Sequence, residues 1–278
     1  MLFTRRFLFY DLLLWWHNNY KTLCGQVSKF ASFSLLFLWL SSSSSVLAES
    51  YRVAIVIDDI GYRYTDKKAL DLPGNVTYSI LPHTPYGKRL ALKAQAQHND
   101  VLLHIPMESE NGKRLGPGAL TTKMDEKSIH DSLALSYQEI PFAIGINNHM
   151  GSRLTKLYNP MMWTMNFLKS KNLFFLDSKT SAKSQAEQAA KDVGVPVHNR
   201  HVFLDNQLDD AYIEQQFNTL IAQAKKHKMA IAIAHPHPET VKALTRLIPM
   251  LKQNNITLVP LSDFYQNQVI ETAQTTAE

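Results

Sequence analysis

Asp58 and Asp59 stand side by side where an apolar run, Val53 to Ile57, gives out before Gly61. Titratable and amide side chains recur after other short apolar runs: His83; His104 and Glu108; Asn147, Asn148 and His149; Asp177; Asp205; His235 and His237. Imidazoles and carboxylates move protons near neutral pH, and together they supply the nitrogen and oxygen donors that hold divalent cations. Two adjacent carboxylates repel each other, and a bound cation offsets the repulsion. Such a set could bind a cation or take part in acid–base chemistry. Each member also has a structural use: Asp caps helices, Asn supplies turn geometry, and a buried His can be a satisfied core residue.

Bringing these groups together requires a scaffold that gathers strand ends. The unbroken, mostly β-branched run Val53 to Ile57 reads as a strand buried on both faces. Further strands are predicted over Val76 to Leu81, Val101 to Ile105, Phe142 to Ile146, Leu173 to Leu176, Val202 to Leu204, Met229 to Ala234 and Ile256 to Leu261. Helices fall between them: Pro85 to Gln97, a helix capped by Asp125 and running to about Glu139, Asn159 to Lys169, and Ala186 to Val193. Two longer helices carry Ile213, Phe217, Leu220, Ile221 and Ala224, then Val241, Leu244, Ile248 and Leu251, at helical spacing. The loop from Met107 to Lys123, with Gly116-Pro117-Gly118, is long enough to form a functional lip. The alternation predicts an α/β fold, a barrel or a doubly wound sheet, in which chemistry belongs at the C-terminal ends of the strands. Adjacent strand residues face opposite ways, so Asp58 and Asp59 share a pocket only if the backbone turns between them.

The first 48 residues are predicted to stand outside this domain. Lys29, the apolar block Ala31 to Leu40, the serine run Ser41 to Ser45 and Val46-Leu47-Ala48 read as a secretory signal cut after Ala48. The competing reading is a retained anchor to the inner membrane, with Phe7 to Trp16 as a second apolar patch. The leader is longer than such signals usually are, and translation from near Val27 would make the preceding residues an over-annotated extension. Removing the leader takes away a net of +3, leaving +2 of the chain's +5, so no nucleic-acid partner is expected. It also removes Cys24, the only cysteine, which excludes disulfides, thiolate chemistry and a cysteine zinc site. The expected organisation is a signal peptide (1–48), one domain (49–265) and a polar, flexible tail (266–278). The expected location is periplasmic or secreted, with membrane contact only through an uncleaved leader.

Taken in order, the motifs resemble the polysaccharide deacetylase superfamily (NodB-homology, carbohydrate esterase 4-like), and in particular its divergent, exported branch. Ile57-Asp58-Asp59-Ile60-Gly61 is similar to the superfamily's T-F-D-D-G with one residue inserted, and His104-Ile105-Pro106-Met107-Glu108 to H-x-x-x-H with glutamate as the last residue. Asn147 to Ser152 stands where an R-P-P-Y-like motif is expected, Leu176 to Lys179 at an Asp-containing motif, and Ile231 to His235 at L-x-L-H. The resemblance implies a NodB-like irregular (β/α) barrel of about seven strands. It implies Asp58 as general base, His235 as general acid, and Asp59 and His104 as ligands of a divalent metal, with zinc expected. The third ligand is either Glu108 or His149, and His149 completes an Asp-His-His set familiar for zinc. Glu108, Asn148 and Asp177 are expected to support the site or bind substrate, and Arg153 or Lys179 to take the place of the missing R-P-P-Y arginine. The implied activity is deacetylation of N-acetylated envelope polysaccharide, peptidoglycan or an exopolysaccharide. The alternatives are an inactive glycan-binding or scaffold protein on the same barrel, and a hydrolase of another amide or ester.

Overall fold

The apolar run that opens the domain becomes the hub of a nine-stranded sheet in which every pairing is parallel. A computed structural model describes residues 51–265; the expected leader, its cleavage site and the polar tail lie outside the described residues. The strands are β1 (Tyr51–Ile60), β2 (Thr77–Ile80), β3 (Val101–Met107), β4 (Gly145–Met150), β5 (Phe174–Asp177), β6 (Val197–Asn199), β7 (Val202–Phe203), β8 (Met229–Ala234) and β9 (Ile256–Leu258). The α-helices are α1 (Gly87–Ala96), α2 (Glu126–Glu139), α3 (Tyr158–Ser170), α4 (Ala186–Val193), α5 (Asp210–His227), α6 (Pro238–Leu247) and α7 (Met250–Gln253). None of these helices is long and apolar enough to cross a membrane.

The strand order is β6-β5-β4-β3-β2-β1-β8-β7, with β9 pairing the first residues of β1 and β2 its last ones. The two edge strands, β6 and β7, are separated in sequence only by Arg200 and His201. A two-residue link cannot span an open eight-strand sheet, so the sheet curls until its edges meet. At this seam the Arg200 N–H donates to the carbonyl of Asp177 on β5, next to one edge, and the His201 N–H to the Ile231 carbonyl on β8, next to the other. The result is an α/β fold built on an irregular barrel, as the motif order implies, with more strands than the expected seven.

Alternation along the strands divides the core in two. Val53, Ile55, Ile57, Leu103 and Ile105 pack outward against the helices. Ala54, Val56, Leu102, Leu176, Ile231 and Ile233 fill the barrel, which Phe264 and Tyr265 help to pack. Tyr265 stacks on Phe174 with ring centroids 3.4 Å apart and donates its hydroxyl to the Phe175 carbonyl at 3.0 Å.

Several elements depart from the sequence expectation. The strand placed at Phe142 to Ile146 instead runs from Gly145 to Met150, so the polar Asn147-Asn148-His149 lies within the ladder opposite His104 to Pro106. The helix expected to carry Val241 through Leu251 is broken into α6 and α7 at Pro249, which has no N–H to continue it. A 3₁₀ helix at Tyr64–Asp71 and the short β6 had no expectation at all.

Candidate metal centre

The site is built where interior-facing positions of the strands run out of apolar residues. Counting by twos from the residues that fill the barrel leads from Val56 to Asp58, from Leu102 to His104 and from Ile233 to His235, and the same alternation on β4 points Asn147 and His149 inward. Asp59 has the wrong parity. The β1–β2 register slips between Ile57 and Ile60, the inserted residue of the motif being absorbed as a bulge, and Asp59 takes the left-handed conformation (φ 59°). That turn brings its carboxylate round to the same mouth. Gly61 follows at φ 139°, where a Cβ would lie 2.2 Å from Thr84 Oγ1. The buried Asp66 carboxylate accepts from the Gly61 and Arg63 N–H groups, both at 3.1 Å, and fixes the turn. Met150 (φ 57°) and Lys179 (φ 50°) repeat the left-handed conformation at the exits of β4 and β5. Backbone strain of this kind collects where side chains must be aimed.

Asp59 Oδ1 lies 3.0 Å from His104 Nε2 and 2.7 Å from His149 Nδ1. One ligand atom from each of the three residues falls within 4.8 Å of the other two, the spacing of a metal centre. Burial pushes the Asp59 carboxyl up, but the hydrogen bonds from the two imidazoles outweigh it and hold the group well below the usual carboxylate range. The orientation of His104 comes from Asn147. The Asn147 Nδ2 group donates to Asp58 Oδ1 at 2.9 Å and Oδ2 at 3.1 Å, which leaves Asn147 Oδ1 as the acceptor for Ser79 Oγ and for His104 Nδ1 at 2.8 Å. His104 Nδ1 is thereby committed to Asn147, and Nε2, which here donates to Asp59, is the ring nitrogen left to turn toward a metal ion, as in a metal-ligating imidazole whose other nitrogen is held from behind. Two nitrogens and a carboxylate oxygen, oriented in this way, fit a divalent ion such as zinc.

Asp58 is only 2% exposed and faces His104 Nε2 at 3.7 Å. Burial raises its proton affinity, partly offset by the charges of His104 and His235. On the other side of Asp59, His235 Nε2 stands 3.8 Å from Oδ2. Asp205 holds this imidazole from behind: Oδ1 accepts from Nδ1 at 3.0 Å, and Oδ2 accepts from the His235 N–H at 2.7 Å and from Thr240 Oγ1 at 2.9 Å. Burial lowers the His235 pKa, but Asp205 and then Asp59 raise it further, to about 9, so the ring is an imidazolium at neutral pH.

Five of the eight expected site residues, Asp58, Asp59, His104, His149 and His235, thus meet at one mouth, and three do not. Glu108 is spent on the lip: Oε2 accepts from the Thr122 N–H and hydroxyl, and Oε1 from Arg153 Nη1 at 3.2 Å. Of the two candidates for third ligand, the structure joins His149 to Asp59 and His104. Asn148 has outward parity and ties loops together, donating to the Met150 carbonyl and accepting from the Ser178 N–H. Asp177 also faces outward, accepts from the Lys179 N–H at 2.7 Å and pairs with Lys179 Nζ at 3.5 Å. Arg153 and Lys179 are accordingly engaged elsewhere, and the group that holds Asp58 is Asn147. Asn147 and Asp205 were visible as polar residues at strand ends, but nothing in the sequence marked them as the groups that orient His104 and His235. His83 is drawn away to Glu139 and Ser136.

Comparison with known proteins agrees with this fold. A family model described as divergent polysaccharide deacetylase matches residues 55–265. The chain belongs to that family. This divergent polysaccharide deacetylase is 38% identical over 235 residues to the uncharacterized protein YibQ of Escherichia coli, covering 84% of this chain and 73% of that one. The crystal structure of an uncharacterized protein from Agrobacterium tumefaciens is similar with a TM-score of 0.74 and 27% identity, over 78% of this chain and 90% of that one. The catalytic domain of a peptidoglycan N-acetylglucosamine deacetylase from Eubacterium rectale shares the fold, with a TM-score of 0.50 and 15% identity over 80% and 93% of the two chains.

Proposed function

We propose that the protein is an exported, zinc-dependent hydrolase that removes N-acetyl groups from a cell-envelope polysaccharide, peptidoglycan or an exopolysaccharide. The observation that carries this reading is that a buried carboxylate, Asp58, and an imidazole held by Asp205, His235, abut the same Asp59-His104-His149 cluster. A divalent cation bound there would acidify water and polarise an acyl carbonyl. Asp58, its proton affinity raised by burial, takes the proton of the attacking water. Asn147 keeps that carboxylate facing the cluster through its two short contacts. His235 enters the reaction as the acid and gives its Nε2 proton to the departing amine, while Asp205 holds Nδ1. Water and amide are consumed, and acetate and amine leave. The secretory reading of residues 1–48 supports export to the compartment where envelope glycans lie.

The test is the metal content of the purified protein by plasma mass spectrometry, paired with mass analysis of acetylated glycan fragments after incubation. Near-stoichiometric zinc, lost in Asp59→Ala, His104→Ala and His149→Ala but kept in Glu108→Ala, with fragments lighter by one acetyl group, is the expected result. Metal bound without any product would favour a glycan-binding barrel, and failure to bind zinc would overturn the mechanism.

A further inference from the structure

The lip loop carries positive charge that the fold does not use. It bounds a cleft of ≈1070 Å³ whose lining includes Tyr62, Lys113, Arg114, Leu115, Gly116 and, from the metal centre, His149. Gly116 (φ 94°) seats the loop directly on Tyr62, whose hydroxyl oxygen lies 2.6 Å from where a Cβ would be. Tyr62 is nevertheless 49% exposed, leaving part of its surface free beside the cleft.

Acidic residues on this lip are already neutralised, Glu108 by Thr122 and Arg153 and Glu110 by Lys156. No acidic side chain lines the cleft. Lys113 and Arg114 are exposed and, among the described residues, have no acidic partner. Lys113 also lines an adjoining recess of ≈350 Å³ together with Lys123, an exposed cation that has no acidic partner among the described residues. The opposite flank differs. There a cavity of ≈590 Å³ is bounded by Phe203, whose ring lies 5.1 Å from that of His235. Its two nearest cations are engaged, Lys179 with Asp177 and Arg200 with the carbonyls of Ser178 and Lys179. The surplus of charge is therefore confined to the His149 side.

Unpaired cations lining a concave surface concentrate anions, and an arginine fork matches a carboxylate in two-point geometry. We propose that this cleft is a subsite for a carboxylate-bearing sugar next to the acetamido sugar at the metal centre, with Lys113 and Arg114 pairing the carboxylate and Tyr62 supporting the ring. The position of the acetamido sugar rests on the hydrolase reading above; recognition of the carboxylate requires no turnover.

Titration calorimetry of the zinc-loaded protein with four probes tests it: an N-acetylglucosamine–N-acetylmuramic acid disaccharide, its methyl ester, a hyaluronan tetrasaccharide and neutral chitotetraose. The acid disaccharide should bind on the order of tenfold more tightly than its ester. The preference should shrink as sodium chloride is raised and vanish in Lys113→Gln/Arg114→Gln, with the affinity for chitotetraose unchanged and the melting temperature preserved. Hyaluronan binding as tightly as the acid disaccharide would make the ligand any uronate or lactyl carboxylate, and weaker binding would restrict it to the lactyl ether. Equal binding of acid and ester, a preference that survives the double substitution, or no binding of any probe would overturn the subsite. Discrimination without deacetylation would overturn the hydrolase reading and leave the subsite standing.

Discussion

Asn147 serves Asp58, His104 and Ser79 at once, from a position with no exposure to solvent. Truncating it leaves a carboxylate, an imidazole N–H and a hydroxyl without that partner in the core. Asn147→Ala should therefore cost roughly 2–4 kcal/mol in urea unfolding, and, with His104 free to turn, weaken zinc by about 10–100-fold. Unchanged affinity for zinc would show that the amide does not orient the ligand. Asp205 makes a separate prediction. It is first among the groups that raise His235, so Asp205→Asn should lower that pKa from about 9 toward the ordinary 6.5. An acid works only while protonated, so the alkaline limb of the rate profile should move to lower pH, with the acid limb in place. An alkaline limb that stays put would assign it to another group. The residue types of this site were legible in the sequence, but their roles were not. Asn147 and Asn148 are chemically identical neighbours, and only strand parity sends one to the metal centre and the other to the Met150 carbonyl.

At the scale of elements, the β1 exit concentrates the demands of the site. The bulge, Asp59 at φ 59° and Gly61 at φ 139° occupy four consecutive residues and turn two carboxylates to one mouth. Gly61→Ala meets both a forbidden conformation and Thr84 Oγ1 at 2.2 Å. It should destabilise the domain by about 2–4 kcal/mol and weaken zinc binding through displacement of Asp59. Chemical denaturation with a parallel zinc titration reads both effects, and a variant of parental stability would show that the turn has slack. Elements whose signal is apolar periodicity were readable from the sequence: β1, β3, β8 and α4 stand close to where periodicity puts them. β4 was not, because Asn147, Asn148 and His149 in its second half are polar and look like loop until the hydrogen bonds that satisfy them are seen. Bulges leave no apolar signature either, although the inserted residue of the first motif marked this one.

The described domain is a barrel held at its mouth by groups from β1, β3 and β4, and at its seam by a two-residue link. Near that seam His198 packs edge-on against Tyr265, with ring centroids 4.7 Å apart. Burial lowers its pKa below 6.5, against a weaker opposing contact with the Phe264 carbonyl. The neutral ring is thus the folded form. Its stabilisation is complete above pH 6.5 and is lost as pH falls from there through the lowered value, because only the unfolded chain takes up the proton. His198→Phe should flatten the fall in melting temperature between pH 7 and 5, and an unaltered slope would place the sensitivity elsewhere. On the hydrolase reading, metal bound at the mouth would act in the same currency. Its three ligands are distant in sequence, so the unfolded chain cannot assemble them, and binding energy becomes folding energy. Free zinc at a hundred times its Kd should add about 2.7 kcal/mol, raising the melting temperature by roughly 5–10 °C for a domain of this size. Chelation should reverse the gain, and His149→Ala should abolish it, whereas Glu108→Ala should keep it. A gain that persists without His149 would mean that zinc binds somewhere other than the strand ends.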